Sequence, residues 1–187
     1  MTAQVLHLDL ASLSPTTSAR DRDDIIEAAG CLTSLPDVTA AGVIEGVPEA
    51  DFELAFFFVL AEPAALERFG TDPAYSRFLR GKLAPRLRAF AGADARLEAD
   101  FEASGQHGAC LALEAPEETY DWEMAETLNR WAEGTGAAAR AVGLAAGERQ
   151  RFRGVALAFT ATPFAPERPA EGRFGATLVW GRTRRLP

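Results

Sequence analysis

The stretch DFELAFFFVLAEP, residues 51–63, is apolar on both of the faces that an extended chain would present. Apart from Glu53, both alternating sets are apolar: Phe52, Leu54, Phe56, Phe58 and Leu60 on one face, and Ala55, Phe57, Val59 and Ala61 on the other. A strand with one face in water alternates apolar and polar residues instead. We therefore expect each face of this strand to be covered by another layer of the protein.

The segments around this strand predict the order β-α-β-β-α-β within the first 103 residues. Within the long helical region, Gly70 ends one helical stretch and Asp72-Pro73 starts the next. The predicted elements are a strand at 4–11, a helix at 17–33, strands at 36–46 and 51–61, a helical region at 62–90 and a strand at 94–103. This is the order of the ferredoxin-like or split-βαβ plan, an α+β fold.

The ferredoxin-like plan leaves one face of its sheet bare, because both helices pack on the other face. A bare apolar sheet of this size would be a liability in a monomer. The second apolar face of residues 51–61 therefore predicts that this sheet packs on another sheet, so that the two form a barrel with a shared interior.

Several stretches of the first 103 residues together carry a family resemblance. They are His7 in the first strand, LPDVTAAGVIEGVPEADFELAFFFVL at 35–60, EPAALERFGTDPAYSRFLRGKLAP at 62–85 and LEADFE at 97–102. In this order and spacing they resemble the Dabb domain, the stress-responsive dimeric α/β-barrel family. The resemblance implies a ferredoxin-like domain that forms a dimeric α/β barrel, or a pseudo-dimeric one within a single chain.

The chain departs from the cyclase enzymes of this family at three positions. Those enzymes carry Tyr, His and His where this sequence has Phe69, Asp72 and Tyr75. Phenylalanine cannot donate a hydrogen bond, and a tyrosine with an ordinary pKa near 10 is a poor base at neutral pH. We therefore do not expect the cyclase mechanism to carry over to this chain.

The second half of the chain predicts the same plan with one helix replaced by a loop. Its predicted elements are a strand at 108–115, a helix at 118–134 with the stripe Tyr120, Met124, Leu128 and Trp131, a hairpin at 140–162, a Pro-rich loop at 163–172 and a strand at 173–182. We predict two domains, a Dabb-like domain at 1–103 and a degenerate second copy at 104–187. The alternative is a C-terminal extension that decorates a conventional homodimer.

The candidate site residues are His7, Asp9, Phe69 and Tyr75. His7 and Asp9 share one side of the first strand, and the resemblance places His7 toward the barrel interior, near Tyr75. In the functional interpretation Asp9 orients His7 as a general base, Tyr75 holds a ligand oxygen and Phe69 supplies an apolar wall. In the other interpretation His7 is a satisfied, partly buried histidine and Asp9 is a carboxylate in water.

Composition excludes several classes of partner and cofactor. The 27 acidic and 19 basic residues give a net charge of −8, so we expect no nucleic-acid partner. No apolar run is long enough to span a membrane and no signal peptide is evident, and the two cysteines fit reduced thiols, so we expect a cytoplasmic protein. His7 and His107 lie far apart without clustered ligands, so we predict no metal and no cofactor.

Three functions remain open on these grounds. The first is binding of a small apolar or aromatic ligand between the two sheets, without turnover. The second is a cofactor-free enzyme of the cyclase, isomerase or oxygenase type, with His7 as general base. The third is a structural barrel whose interior is filled by side chains, including the core aromatics predicted at Phe56–Phe58, Trp122, Trp131 and Trp180. The sequence does not decide whether the chain also forms a homodimer.

Overall fold

We describe the fold from a computed structural model, which covers residues 3–147, 150–169 and 173–186. Two predicted elements, the hairpin and the Pro-rich loop, reach outside the described residues, at 148–149 and 170–172, as do the two ends of the predicted domains, at 1–2 and 187. Among the described residues, no helix is both long and apolar enough to cross a membrane.

The described residues contain eight antiparallel strands, which close into a barrel. The strands are β1 (Val5–Leu13), β2 (Val38–Gly46), β3 (Leu54–Leu60), β4 (Leu87–Leu97), β5 (His107–Glu114), β6 (Ala139–Ala145), β7 (Gly154–Thr160) and β8 (Gly175–Arg185). The helices are α1 (Ala19–Gly30), α2 (Ala65–Thr71), α3 (Pro73–Ser76) and α4 (Asp121–Gly134). A π-helical segment, Arg77–Leu83, continues α3. One short 3-10 turn, Cys31–Ser34, follows α1, and another, Ala84–Arg86, follows the π-helical segment.

The barrel contains the ferredoxin-like strand order twice. One half has the order β2-β3-β1-β4 and the other has β6-β7-β5-β8, and the pairs β2·β8 and β4·β6 join them into one ring. The predicted fold class is confirmed: the chain is an α+β protein that forms an α/β barrel by itself. The boundary between residues 103 and 104 falls in the connection from β4 to β5, and the descent of the second half from a repeat remains a hypothesis.

β3 answers the question raised by its two apolar faces. Its inward face packs in the barrel interior, where the rings of Phe57 and Phe159 lie 5.3 Å apart. Its outward face packs under the helices, where the rings of Phe56 and Phe78 lie 5.4 Å apart. The prediction that one face of β3 contacts the strands of the second half is therefore confirmed, and Phe57 provides that contact.

β4 begins earlier than the sequence indicates. The predicted helical region ended at residue 90, whereas the strand runs from Leu87 to Leu97 and residues 98–103 lie outside it. Its inward residues include Ala91, Ala93 and Ala95 of the interior core. Alanine favours helices intrinsically, so only pairing with β1 reveals this strand. Both boundaries predicted for this segment were wrong.

Two aromatic residues of the second half are exposed rather than buried. Trp122 is 64% exposed and Tyr120, at the N-terminal cap of α4, is 66% exposed. The predictions of Trp122 as a core residue and of Tyr120 on the buried stripe were wrong. The buried stripe of α4 does include Met124, Leu128 and Trp131, because their helical spacing places them on the face that packs against the sheet.

Candidate functional site

His7 lies on the outer face of the barrel, beneath α2 and α3. The inward positions of β1 belong to Leu6, Leu8 and Leu10, so the alternation of the strand turns His7 and Asp9 outward. The prediction that His7 faces the barrel interior was therefore wrong. The predicted proximity of the four site residues is nevertheless seen, since Phe69 and Tyr75 come from the helices that cover this face.

The start of α3 brings Tyr75 down onto β1. Asp72 caps this helix by accepting a hydrogen bond from the backbone N–H of Ala74 at 2.7 Å, and Pro73 occupies the first helical turn. Tyr75 is buried, and its ring meets that of His7 edge to face with centroids 5.3 Å apart. The helix start predicted at Asp72-Pro73 therefore positions the side chain of Tyr75.

A chain of hydrogen bonds joins His7 to two carboxylates. Nδ1–H of His7 donates to Oδ1 of Asp94 at 2.6 Å, and Nε2–H donates to the hydroxyl oxygen of Tyr75 at 2.9 Å. The hydroxyl of Tyr75 in turn donates to Oδ2 of Asp9 at 3.1 Å. Oδ2 of Asp9 also stands 3.4 Å from Nε2 of His7, so the histidine lies between two acidic groups.

These neighbours keep His7 protonated at neutral pH. Burial alone would lower the pKa of His7, but the charge and hydrogen bond of Asp9, followed by those of Asp94, raise that pKa to about 10. An imidazolium can donate from both ring nitrogens, as the geometry requires, but it has no lone pair with which to accept a proton. At neutral pH His7 is thus an acid or a hydrogen-bond donor.

Tyr75 and Phe69 close the site on the helix side. Burial, and then the charge of Asp9, raise the pKa of Tyr75 above its ordinary value, so its phenol stays protonated and donates. The ring of Phe69 stacks at 4.8 Å from that of Tyr75 and 5.2 Å from that of His7. Phe69 therefore packs against both rings, and its role as the wall of a ligand site stays a prediction.

Solvent reaches this cluster from the side of β4. The side chain of Asp94 is 28% exposed and that of His7 is 13% exposed, whereas Asp9 is almost fully buried at 1%. Gly92 is exposed and pairs with Asp9 across the two strands, and a Cβ built on it would lie 3.8 Å from Oδ1 of Asp9. Any ligand of His7 would have to approach over β4.

Asp94 is a member of this cluster that sequence reasoning missed. In the antiparallel pair of β1 with β4, Asp94 lies directly opposite His7, on the same face. Its backbone N–H donates to Oε1 of Gln150, which comes from the second half of the barrel. The sequence did place Asp94 at the start of a predicted strand. Its position opposite His7 follows only from the register between β1 and β4, which the sequence does not give.

Three cavities bounded by described residues lie away from His7, and none of the three is lined by His7 or Tyr75. The largest, with a volume of about 710 Å³, lies between α4 and the loop that stands in place of a second helix. We call it the α4 cavity. Its apolar lining residues are Trp131, Phe164, Ala165, Pro166, Pro169 and Phe174. A smaller cavity of about 280 Å³ is lined by Phe57 and Phe159 of the barrel core.

Specific hydrogen bonds fix the loop wall of the α4 cavity. Nε1–H of Trp131 donates to the carbonyl oxygen of Glu167 at 3.0 Å. The guanidinium of Arg168 donates to both carboxylate oxygens of Asp51, at 2.9 and 2.7 Å, and also to the carbonyl oxygen of Ala176. The cavity is therefore built into the fold, although no sequence motif marked it.

The described residues contain no group of three or more histidine, cysteine, aspartate or glutamate side chains arranged to hold a metal ion. Cys110 lies buried in the barrel core, and burial raises the pKa of its thiol. It therefore stays a thiol and packs as a small apolar group. The other cysteine, Cys31, is exposed.

The fold defines this chain as an α/β-barrel protein built from ferredoxin-like halves. Among solved structures, an anthrone oxidase-like protein matches with a TM-score of 0.63 and 11% identity, over 100% of this chain and 94% of that chain. A proposed monooxygenase from Fusobacterium nucleatum matches with a TM-score of 0.54 and 12% identity, over 84% of this chain and 75% of that chain. At such identities the likeness is one of fold.

A Dabb family protein from Mesorhizobium loti also aligns, with a TM-score of 0.44 and 20% identity. That alignment covers 50% of this chain and 95% of that chain. No family model matches the sequence. A search of curated proteins likewise found no match.

Proposed function

We propose that this chain binds a small apolar or aromatic molecule, and that the ligand lies in the α4 cavity. The observation that carries this proposal is the cavity itself, with a volume of about 710 Å³ and an aromatic lining that includes Trp131, Phe164 and Phe174. Cavities that hold small organic ligands commonly measure about 300–1,000 Å³ and are lined mainly by apolar groups. This location replaces the predicted one between the two sheets.

The space between the sheets supports a ligand less well. The barrel interior is packed with large side chains such as Phe57, Leu157 and Phe159. The cavity of about 280 Å³ beside Phe57 and Phe159 falls just below the usual range for such ligands. The α4 cavity therefore ranks first.

The variant Gly134→Leu tests this location. Gly134 lines the cavity at the end of α4, and a Cβ added there would meet no atom within 4 Å. Leucine at this position should fill part of the cavity while it strengthens the helix, since glycine in a helix costs about 0.5–1 kcal/mol. We expect at least a tenfold loss of affinity for apolar fluorescent dyes such as N-phenylnaphthylamine, measured by titration.

Gly70→Leu is the matched control. Gly70 is also an exposed helical glycine with no atom within 4 Å of an added Cβ, and it lies in α2, away from the cavity. This variant should bind the dye as the wild type does. Equal affinity in all three proteins would place the ligand elsewhere, and absence of binding to the wild type would favour the filled structural barrel.

A second candidate function is acid catalysis at His7. The observation that favours it is the position of His7, which is 13% exposed beside Asp94 among acidic groups that raise its pKa to about 10. To donate a proton to a substrate that approaches over β4, His7 would exchange its hydrogen bond to Asp94 for one to the substrate. The general base of the earlier hypothesis would instead need a neutral imidazole. Tyr75→Phe, which removes one hydrogen bond to His7, separates the two candidates. It should leave dye binding in the α4 cavity unchanged and should weaken a ligand that binds at His7.

A further inference from the structure

We propose that the ligand of the α4 cavity carries a carboxylate or another anionic oxygen group, held by Arg130 and Arg173, while its planar apolar body packs against Trp131 and Phe174. This inference rests on the proposed function, namely that the α4 cavity binds a small molecule. It adds the charge class of the ligand and the residues that select it.

The charges that line the cavity differ in sign from those of the chain. The lining holds three arginines and one acidic residue, Glu167, although the whole chain has a net charge of −8. The lining itself is thus rich in arginine and aromatic groups, and the carboxylates that pair with its arginines, Asp51, Glu123 and Glu126, stand outside the lining. A site of this kind favours an anion with an apolar body over a cation or an uncharged molecule.

The guanidinium of Arg168 holds the wall of the cavity in place, so we do not assign it to the ligand. Its Nη2 donates to both carboxylate oxygens of Asp51, and its Nη1 donates to the carbonyl oxygen of Ala176. Asp51 also accepts a hydrogen bond from the backbone N–H of Leu178 at 2.7 Å. The loop would lose these contacts if Arg168 turned toward a ligand.

Arg173 retains donors for a ligand. Its two hydrogen bonds to Glu123, at 3.3 and 3.0 Å, both leave from Nη1. Within the described part of the chain, Nε and Nη2 of Arg173 make no hydrogen bond. Glu123 does not line the cavity, so it can hold the guanidinium from behind while the other donors face a bound anion.

Arg130 can change its partner at little cost. It pairs with Glu126 one turn earlier on α4, and the two side chains are 74% and 57% exposed. Exposed pairs of this kind contribute little to stability, typically well under about 1 kcal/mol. A carboxylate that binds next to the apolar wall can therefore take over this guanidinium, and arginine matches the geometry of a carboxylate with two parallel donors.

The apolar wall fixes the shape of the remaining part of the ligand. Trp131 is only 8% exposed, and its indole is held by the hydrogen bond to Glu167. Phe174 adds a second flat aromatic ring to this lining, and Pro166 adds an aliphatic one. A planar ring system matches this surface, since aromatic rings pack in offset or edge-to-face contacts.

Two fluorescent dyes of the same shape test the charge class directly. Anilinonaphthalene sulfonate carries an anionic group, and N-phenylnaphthylamine has the same ring body without that group. We expect the wild-type chain to bind the anionic dye at least tenfold more tightly, with a preference that shrinks as salt is added. Gly134→Leu should weaken the binding of both dyes, which shows that both occupy the α4 cavity.

Arg173→Gln and Arg130→Gln identify the groups that hold the anion. Each should remove most of the preference for the anionic dye and leave the affinity for the neutral dye within about twofold. Arg184→Gln is the control, because Arg184 is an exposed arginine paired with a carboxylate, Asp23, away from the cavity. It should leave the preference unchanged.

The outcomes separate this inference from the proposed function. If both dyes bind with equal affinity and Gly134→Leu weakens both, the cavity binds ligands but does not select anions, and the inference alone is overturned. If neither dye binds, or if Gly134→Leu changes nothing, the proposed function fails. A preference that persists in both arginine variants would also overturn the inference, since the anion would then be held by other groups.

Discussion

At the scale of single residues, His7 shows how burial and charge compete. Burial favours the neutral imidazole, yet two carboxylates within hydrogen-bond reach keep the proton on the ring. The cluster carries one positive and two negative charges beneath α3, so its stability depends on the protonation of His7. Removal of the proton would leave Asp9, which is 1% exposed, without a cation.

We predict that the stabilising contribution of His7 is lost as the pH rises. The pKa of His7 is raised from 6.5 to about 10 by folding, so the contribution is complete below about pH 6.5 and disappears as the pH passes about 10. Between these limits the free energy of unfolding should fall by up to about 1.4 kcal/mol per pH unit, relative to His7→Gln. Urea unfolding of both proteins across this range measures the difference. A constant difference would show that folding leaves the pKa of His7 unchanged.

The sequence predicted the members of this cluster better than its surroundings. The family resemblance and the Asp72-Pro73 helix start were enough to bring Tyr75 and Phe69 to His7. The face of β1 was assigned wrongly because the resemblance was followed, although Leu6, Leu8 and Leu10 form the purely apolar set of this strand. Asp94 and the protonation state of His7 depend on strand register, which is a property of the folded barrel.

At the scale of elements, the seam between β2 and β8 joins the two halves through closely apposed backbones. Gly181 pairs with Gly46 across this seam. A Cβ built on Gly181 would overlap the carbonyl oxygen of Glu45, and the backbone cannot move aside as the end of a long side chain could. The close approach therefore requires glycine at position 181.

We predict that Gly181→Ala destabilises the barrel. The added methyl group must separate β2 from β8, and overpacking of this kind costs about 1–3 kcal/mol. Gly70→Ala is the control, because an added Cβ there meets no atom within 4 Å and alanine favours the helix by about 0.5–1 kcal/mol. Chemical unfolding should thus show opposite signs for the two changes. An unchanged stability in Gly181→Ala would mean that the seam can open without cost.

The elements differ in how well the sequence predicts them. β3 was evident because two apolar faces admit few interpretations. The helix predicted at 17–33 is present as α1, and its Ser18–Asp21 capping box sets its start. β4 was misplaced because alanines at 91, 93 and 95 suit a helix as well as a strand. The α4 cavity had no sequence signal, since it forms where a loop packs against α4 and lacks any repeated pattern.

At the scale of the whole molecule, the two halves use the same plan for different purposes. In the first half the helices seal a buried polar cluster around His7. In the second half the outward face of β5 presents Ala109, Leu111 and Leu113, and a loop in place of a helix leaves the α4 cavity. The two halves can differ in this way because both belong to one chain, whereas a symmetric dimer would carry the same features in each half.

The closed barrel also explains why the first half should not stand alone. Within residues 1–103, β2 and β4 each lose the partner strand that closes the ring, β8 and β6 respectively. The inward face, with Leu8, Phe57 and Val59, would be exposed at the same time. Unpaired edges and a bare apolar face favour association with another chain.

We predict that the isolated segment 1–103 dimerises or aggregates, whereas the full-length chain keeps its barrel closed at any concentration. In a dimer, β2 of one copy can pair with β4 of the other, which restores both seams with the same strand order. Light scattering after gel filtration measures the mass of each species. A stable, soluble monomer of the segment would contradict the prediction, because it would show that the inward face of β3 needs no second sheet to cover it.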